Sequence, residues 1–184
     1  MKNKLFWFLF ASLLSGCAST LLDDVYKHTN SSDSKEVYTS FIILSNMELN
    51  DQYTDKMEQT YISESDSERK YLFEFVLAKR TQQEEYVLRF IDSTKDNISL
   101  LTSNNSNWIA ISSPVLDQVA YYSKTNDEAL GALLLLVLEA DGAILEVVSS
   151  DLRSAYKIDP IRFSNVAEKM DLDVGKILLL VEDE

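Results

Sequence analysis

The chain is poor in the residues that most often carry chemistry. It has one cysteine, Cys17, and one histidine, His28, among 184 residues. A single thiol allows no internal disulfide and no thiolate metal cluster. A Ser-His-Asp arrangement needs a histidine fixed in a packed site, and a zinc site needs three or four ligands, commonly His or Cys. A lone His28 in a polar N-terminal stretch provides neither. Glycine and proline are scarce too, at four and two. None of the glycines has the GxGxxG or GxxxxGK spacing of a phosphate loop. Hairpin-rich β folds need more turn residues than this. Positive charge is also short: 17 Lys and Arg stand against 30 Asp and Glu, a net charge of −13. That balance argues against binding a phosphate backbone, so no nucleic-acid partner is expected. It also opposes charge-driven adhesion to anionic headgroups. It is compatible with a basic protein partner, but simple solubility accounts for it first, since acidic surfaces are common without a dedicated partner.

What is present begins with the leader. Lys2 and Lys4 precede an apolar run from Leu5 to Leu14, the layout of a secretory signal. The run is shorter than the roughly 20 residues that span a bilayer. It closes on Leu14-Ser15-Gly16-Cys17, which resembles the lipobox of bacterial lipoproteins. The resemblance implies cleavage between Gly16 and Cys17, a diacylglyceryl group on the Cys17 sulfur and an acyl chain on its new amino group. One chain gives marginal binding, with an association constant of about 10⁴ M⁻¹, whereas two or three give a durable anchor. Residue 18 is Ala rather than Asp; by the same resemblance this favours the outer membrane, facing the periplasm, over the inner membrane. Lipidation would consume the only thiol, and no cofactor beyond those acyl groups is implied. An ordinary signal peptide, or an uncleaved anchor extended by Leu21 and Leu22, is the alternative for the same residues.

Removing residues 1–16 leaves 168 residues, enough for one domain. Without Lys2 and Lys4 the net charge moves from −13 to about −15. Residues 17–35 read as the lipidated N-terminus and a tether, with Asp23-Asp24 and Asn30-Ser31-Ser32-Asp33-Ser34; Leu21, Leu22, Val25 and Tyr26 allow a short helix within it. Residues 36–184 read as a single α-helical domain.

Helical periodicity runs through that domain. Val37, Phe41, Ile42 and Leu44 open it, and Tyr53, Met57 and Tyr61 follow at intervals of four. Tyr71, Leu72, Phe75 and Val76 form one stripe and Tyr86, Val87, Phe90 and Ile91 repeat it across the break Thr81-Gln82-Gln83. Residues 96–107 read as a polar loop with room for one helical turn. Pro114 is expected in the first turn of the next helix, with Ser113 near its cap. Asn126-Asp127 caps a helix reaching Glu139 that is apolar nearly all round and therefore central. Asp141-Gly142 and Asp159-Pro160 start two more, and Asp171 or Asp173 caps the last. Residues 177–181 are the best strand candidate, though a terminal helix explains them equally well.

The fold class is therefore all-α. Paired antiparallel helices resemble an irregular HEAT or armadillo solenoid; a globular helical bundle is the alternative, because no repeat of fixed period is present.

Carboxylates are the remaining chemistry. Asp23-Asp24, Glu84-Glu85 and Glu182-Asp183-Glu184 cluster in sequence, but neighbours on a helix point to different faces. These read as solvated surface, and Tyr71, Phe75, Tyr86 and Phe90 read as core. Arg153 and Lys157 suit a helix C-terminus. Trp108 and Tyr121 are the candidate interface anchors. The resulting expectation is a membrane-anchored envelope lipoprotein acting as a non-catalytic protein-interaction module: an adaptor, an assembly factor or an immunity-type inhibitor. Its expected partners are the bilayer, through Cys17, and a protein, for which the acidic chain suits a basic one. The alternatives are a carboxylate-dependent hydrolase of an envelope polymer, which needs two carboxyls about 5–10 Å apart, and a carrier of an apolar ligand between helices.

Overall fold

A computed structural model describes residues 21–103 and 109–182, and within them every regular element is a helix. The helices are α1 (residues 21–28), α2 (Ser34–Leu44), α3 (Asp51–Ser63), α4 (Ser67–Thr81), α5 (Glu84–Asp96), α6 (Ile98–Leu101), α7 (Ile109–Ser123), α8 (Asp127–Glu139), α9 (Gly142–Ile158), α10 (Pro160–Lys169) and α11 (Val174–Glu182). The strand candidate at the C-terminus is thus part of a helix. No described helix is long and apolar enough to cross a membrane.

Short polar side chains start the helices by accepting from otherwise orphaned backbone N–H groups. Asn126 accepts from the Ala129 N–H at 3.0 Å, Asp159 from Arg162 at 2.9 Å, and Asp66 from Arg69 at 2.9 Å. Asp173, accepting from Lys176 at 3.2 Å, caps α11. Asp171 instead turns the chain at φ 58°. Gln82, at φ 55°, closes α4 inside the expected break, and its backbone N–H returns to the Ala78 carbonyl. Gly142 opens α9 at φ +49°, a conformation that a side chain disfavours.

Two helices are buried almost all round. In α4 every residue from Tyr71 to Ala78 is buried, and in α8 Ala129 to Leu134, Leu136 and Val137 are. The second was the helix expected to be central. It packs on α5, α6, α7, α9, α10 and α11. Aromatic edges and faces lock the α4 side: Phe41 meets Phe73 edge-on at 4.9 Å, and Phe90 lies 5.7 Å from Tyr71 and 5.8 Å from Phe75. Such pairs add about 0.5–1.5 kcal/mol each beyond area burial.

Two expectations need correction. Pro114 lies inside α7, not in its first turn. The stripe Ile111, Val115 and Val119 is fully buried, so packing draws the helix upstream past the proline. Its ring removes one backbone donor, that toward the Ala110 carbonyl. The described part of the expected tether is also folded. Leu22, Val25 and Tyr26 of α1 are buried in the core, Thr29 is fully buried, and α2 begins at Ser34. Tyr26 packs its ring on Phe73, donates its hydroxyl to the Lys56 carbonyl at 3.3 Å and meets the Thr60 hydroxyl. Lys56 in turn sits 4.3 Å over the Tyr26 ring and 3.3 Å from Asp23. The apolar positions of α1 give it one buried stripe, Leu22, Val25 and Tyr26, and Tyr26 ties that stripe to α3 and α4.

Candidate functional site

Cys17, Gly16 and Trp108 lie outside the described residues. Tyr121 is exposed while Tyr122 is buried, and the two rings meet edge-on at 5.5 Å. Lys124 sits 5.9 Å over the Tyr121 face. His28 is on the surface, 3.2 Å from Glu36. Glu36 also accepts the Ser31 hydroxyl at 2.6 Å, and Ser31 followed by His28 holds that carboxyl below its ordinary pKa. Glu84 and Glu85 are both exposed; Glu85 pairs with Arg89 one turn on. Asp23 and Asp24 are taken up by Lys56 and Lys27. The structure brings none of these carboxylates together.

The chemically distinctive acid is one that sequence reasoning passed over. Glu74 stands between Phe73 and Phe75 on α4 and is only 6% exposed. Its Oε2 is buried without a hydrogen-bond partner. The Ser93 and Tyr61 hydroxyls and the Lys70 and Arg89 cations lie near enough to the carboxyl to favour its charge. Burial outweighs them all and pushes the group above the usual carboxylate range. Tyr61 is held between two cations, Lys70 at 4.9 Å and Arg89 at 5.4 Å from its ring. Glu74 lines a surface pocket of about 320 Å³ between α4 and α5, with Lys70, Ser93 and Asp96 among its other walls. The available signal was an acid inside eight residues that are otherwise apolar, Tyr71 to Ala78.

A second surface is formed at the other end of the chain. Leu145, Ser149 and Arg153 on α9 and Leu179 and Leu180 on α11 line a groove of about 300 Å³, with Gly142 at one end. Leu179 is 62% and Leu180 42% exposed. Glu146 is in the groove wall, and Glu139 and Asp141 are exposed just before Gly142. The groove floor belongs to the same helix pair that buries Val148, Leu152 and Ile177 on its inner side. These two helices are therefore apolar on more of their circumference than the core consumes.

A third depression, about 410 Å³, lies between α1 and α2, where Val25, His28, Lys35, Thr39 and Ile43 face one another. Among the described residues no group of three or more His, Cys, Asp or Glu is arranged to hold a metal ion.

Comparison with protein-family models, with curated proteins and with solved structures finds no match to this chain.

Proposed function

We propose that this chain is an envelope lipoprotein, held by acyl groups on Cys17, whose helical domain is a non-catalytic binding module for a basic protein partner. The observation that carries this reading is the α9–α11 groove. Leu145, Leu179 and Leu180 line it, the last two well exposed, with Glu146 and Arg153 in its walls and Glu139 and Asp141 exposed just before Gly142 at its end; an apolar anchor point thus lies beside a cluster of acids. Buried apolar anchors supply most of an interface's affinity, and charge complementarity supplies rate and selectivity. The net charge of −13 points the same way. For the helix arrangement we favour a bundle around α8 over a stack of repeats. The packing of α2 on α7, which are far apart in sequence, supports it, since repeats in a solenoid touch only their neighbours.

The test is a photo-crosslinking residue at Leu179 in intact cells, followed by purification in detergent. A single stoichiometric basic protein is expected, lost in Leu180→Glu while the melting temperature of that variant stays unchanged. Absence of any such protein from both would overturn the reading. A second reading, hydrolysis of an envelope polymer, draws on Glu74 and Asp96 lining one pocket and on the raised pKa of Glu74. Polymer turnover by the purified chain that Glu74→Gln abolishes, with the fold intact, would establish it instead.

A further inference from the structure

The geometry points to the α1–α2 face as the surface on which this domain rests against the bilayer headgroups, an inference that rests on the lipoprotein reading of Cys17. The argument is one of reach. Only residues 18–20 separate Cys17 from the first described residue of α1, Leu21. Four residue steps span at most about 14 Å in any conformation. The headgroup layer of one leaflet takes up about 5–8 Å of that. The remainder is less than the diameter of a helix, about 10–12 Å. The domain therefore has no slack with which to stand clear of the membrane.

α1 cannot act as the missing slack, because it is part of the folded body. Tyr26 is fixed to Phe73, Lys56 and Thr60, and Asp23 is paired with Lys56. What is anchored close is thus the whole domain, with the start of α1 nearest the bilayer. The residues next to the anchor suit an interface. Leu21 is 55% and Ile43 38% exposed; Ile43 lines the depression with Val25 and Thr39, and Leu21 precedes Val25 by one turn of α1. The charges around it nearly cancel locally: Lys27 pairs with Asp24, and Lys35 and Glu36 both stand in its wall. Electrostatic adhesion is accordingly not the holding force. The acyl chains hold the domain, and Leu21 and Ile43 enter the headgroup boundary.

The full lipidated protein tests this directly. With Cys17 acylated, Ile43→Cys or Ile161→Cys supplies the only free thiol for a fluorescent label. Ile161, on α10, is 74% exposed and α10 packs on α8, α9 and α11. In vesicles of phosphatidylethanolamine and phosphatidylglycerol carrying a headgroup nitroxide, the label at residue 43 is expected to be quenched at least about twofold more than that at 161. Inserting about twelve Gly and Ser residues after Ala18 is expected to erase that difference, because the domain then gains room to lift and turn. Equal quenching at both positions, in protein that incorporates palmitate at Cys17, would overturn the inference and leave the lipoprotein reading standing. Failure to incorporate palmitate would overturn both.

Discussion

Tyr122 on α7 donates its hydroxyl to the backbone carbonyl of Ala78 on α4 at 2.8 Å, across 44 residues of sequence. That carbonyl already accepts the Gln82 N–H at 3.1 Å, where the chain leaves α4 in a left-handed turn. The bond therefore joins the last turns of two packed helices, α4 and α7. Burial pushes the Tyr122 hydroxyl up to about 12, so it stays a donor throughout the neutral range. Tyr122→Phe keeps the ring against Phe90 and leaves the second lone pair of the carbonyl unmet. The expected cost is about 1 kcal/mol, seen as a melting temperature lower by about 2–4 °C. Urea titration by circular dichroism, with unchanged native helix content, is the check.

Arg162 fastens α10 to the α7–α8 turn. Its Nε donates to Asp127 at 2.6 Å, and its Nη1 donates to the carbonyls of Ser123 and Lys124 at 2.9 and 3.2 Å. The two kinds of bond differ in worth. Asp127 is mostly exposed, and exposed pairs contribute about 0–1 kcal/mol. The carbonyls have no substitute donor of this shape, and a lysine cannot reproduce the fork. Arg162→Lys is expected to lose about 1–2 kcal/mol and Asp127→Asn less than about 0.5 kcal/mol. If the two cost the same, the ion pair rather than the carbonyl clamp is what matters.

Glu74 gives the fold a pH dependence of definite sign. Its pKa is raised in the folded state by burial, so the native protein holds the proton more tightly than the unfolded chain. Stability then falls as pH rises from the ordinary carboxyl range through the raised folded value, and stays reduced above it. Glu74→Gln removes that term. The variant is expected to gain on the parent in stability as pH rises from about 4 to 8, with the gap closing again toward pH 4. A gap that is constant with pH would mean that folding leaves the pKa of this carboxyl unchanged.

Much of this fold is legible in the sequence, and the exceptions have physical causes. The caps Asn126, Asp159 and Asp173 follow from short polar side chains placed before apolar periodicity, and α8 announces itself as central by lacking a polar face. Tyr71, Phe75, Tyr86 and Phe90 are buried as their spacing requires. Pro114 misleads because local rules place a proline at a helix start, whereas Ile111 and Val115 gain more by continuing the helix across it. Glu74 escapes notice because periodicity counts apolar positions and passes over a single acid among them, and only burial on every side of α4 makes that acid unusual. The Leu145–Leu179–Leu180 groove depends on two helices meeting, which spacing within either one does not encode.

The N-terminal segment offers the sharpest contrast between composition and packing. Its run of Asp, Asn and Ser resembles a linker, yet α1 places Leu22 and Tyr26 one turn apart and both are buried. Leu21, the adjacent residue, points to solvent. In a linker the two leucines would be equivalent, and truncating either would cost nothing. In the folded helix they are not: Leu22→Ala removes buried methyl groups and is expected to cost about 2–4 kcal/mol, whereas Leu21→Ala is expected to stay within about 0.5 kcal/mol. Denaturant melts of the two single variants, made side by side, read the difference directly. Equal and small effects would return residues 21–28 to the role of tether. They would also remove the restraint that holds the domain close to its anchor, since a tether that reaches residue 35 spans up to about 60 Å.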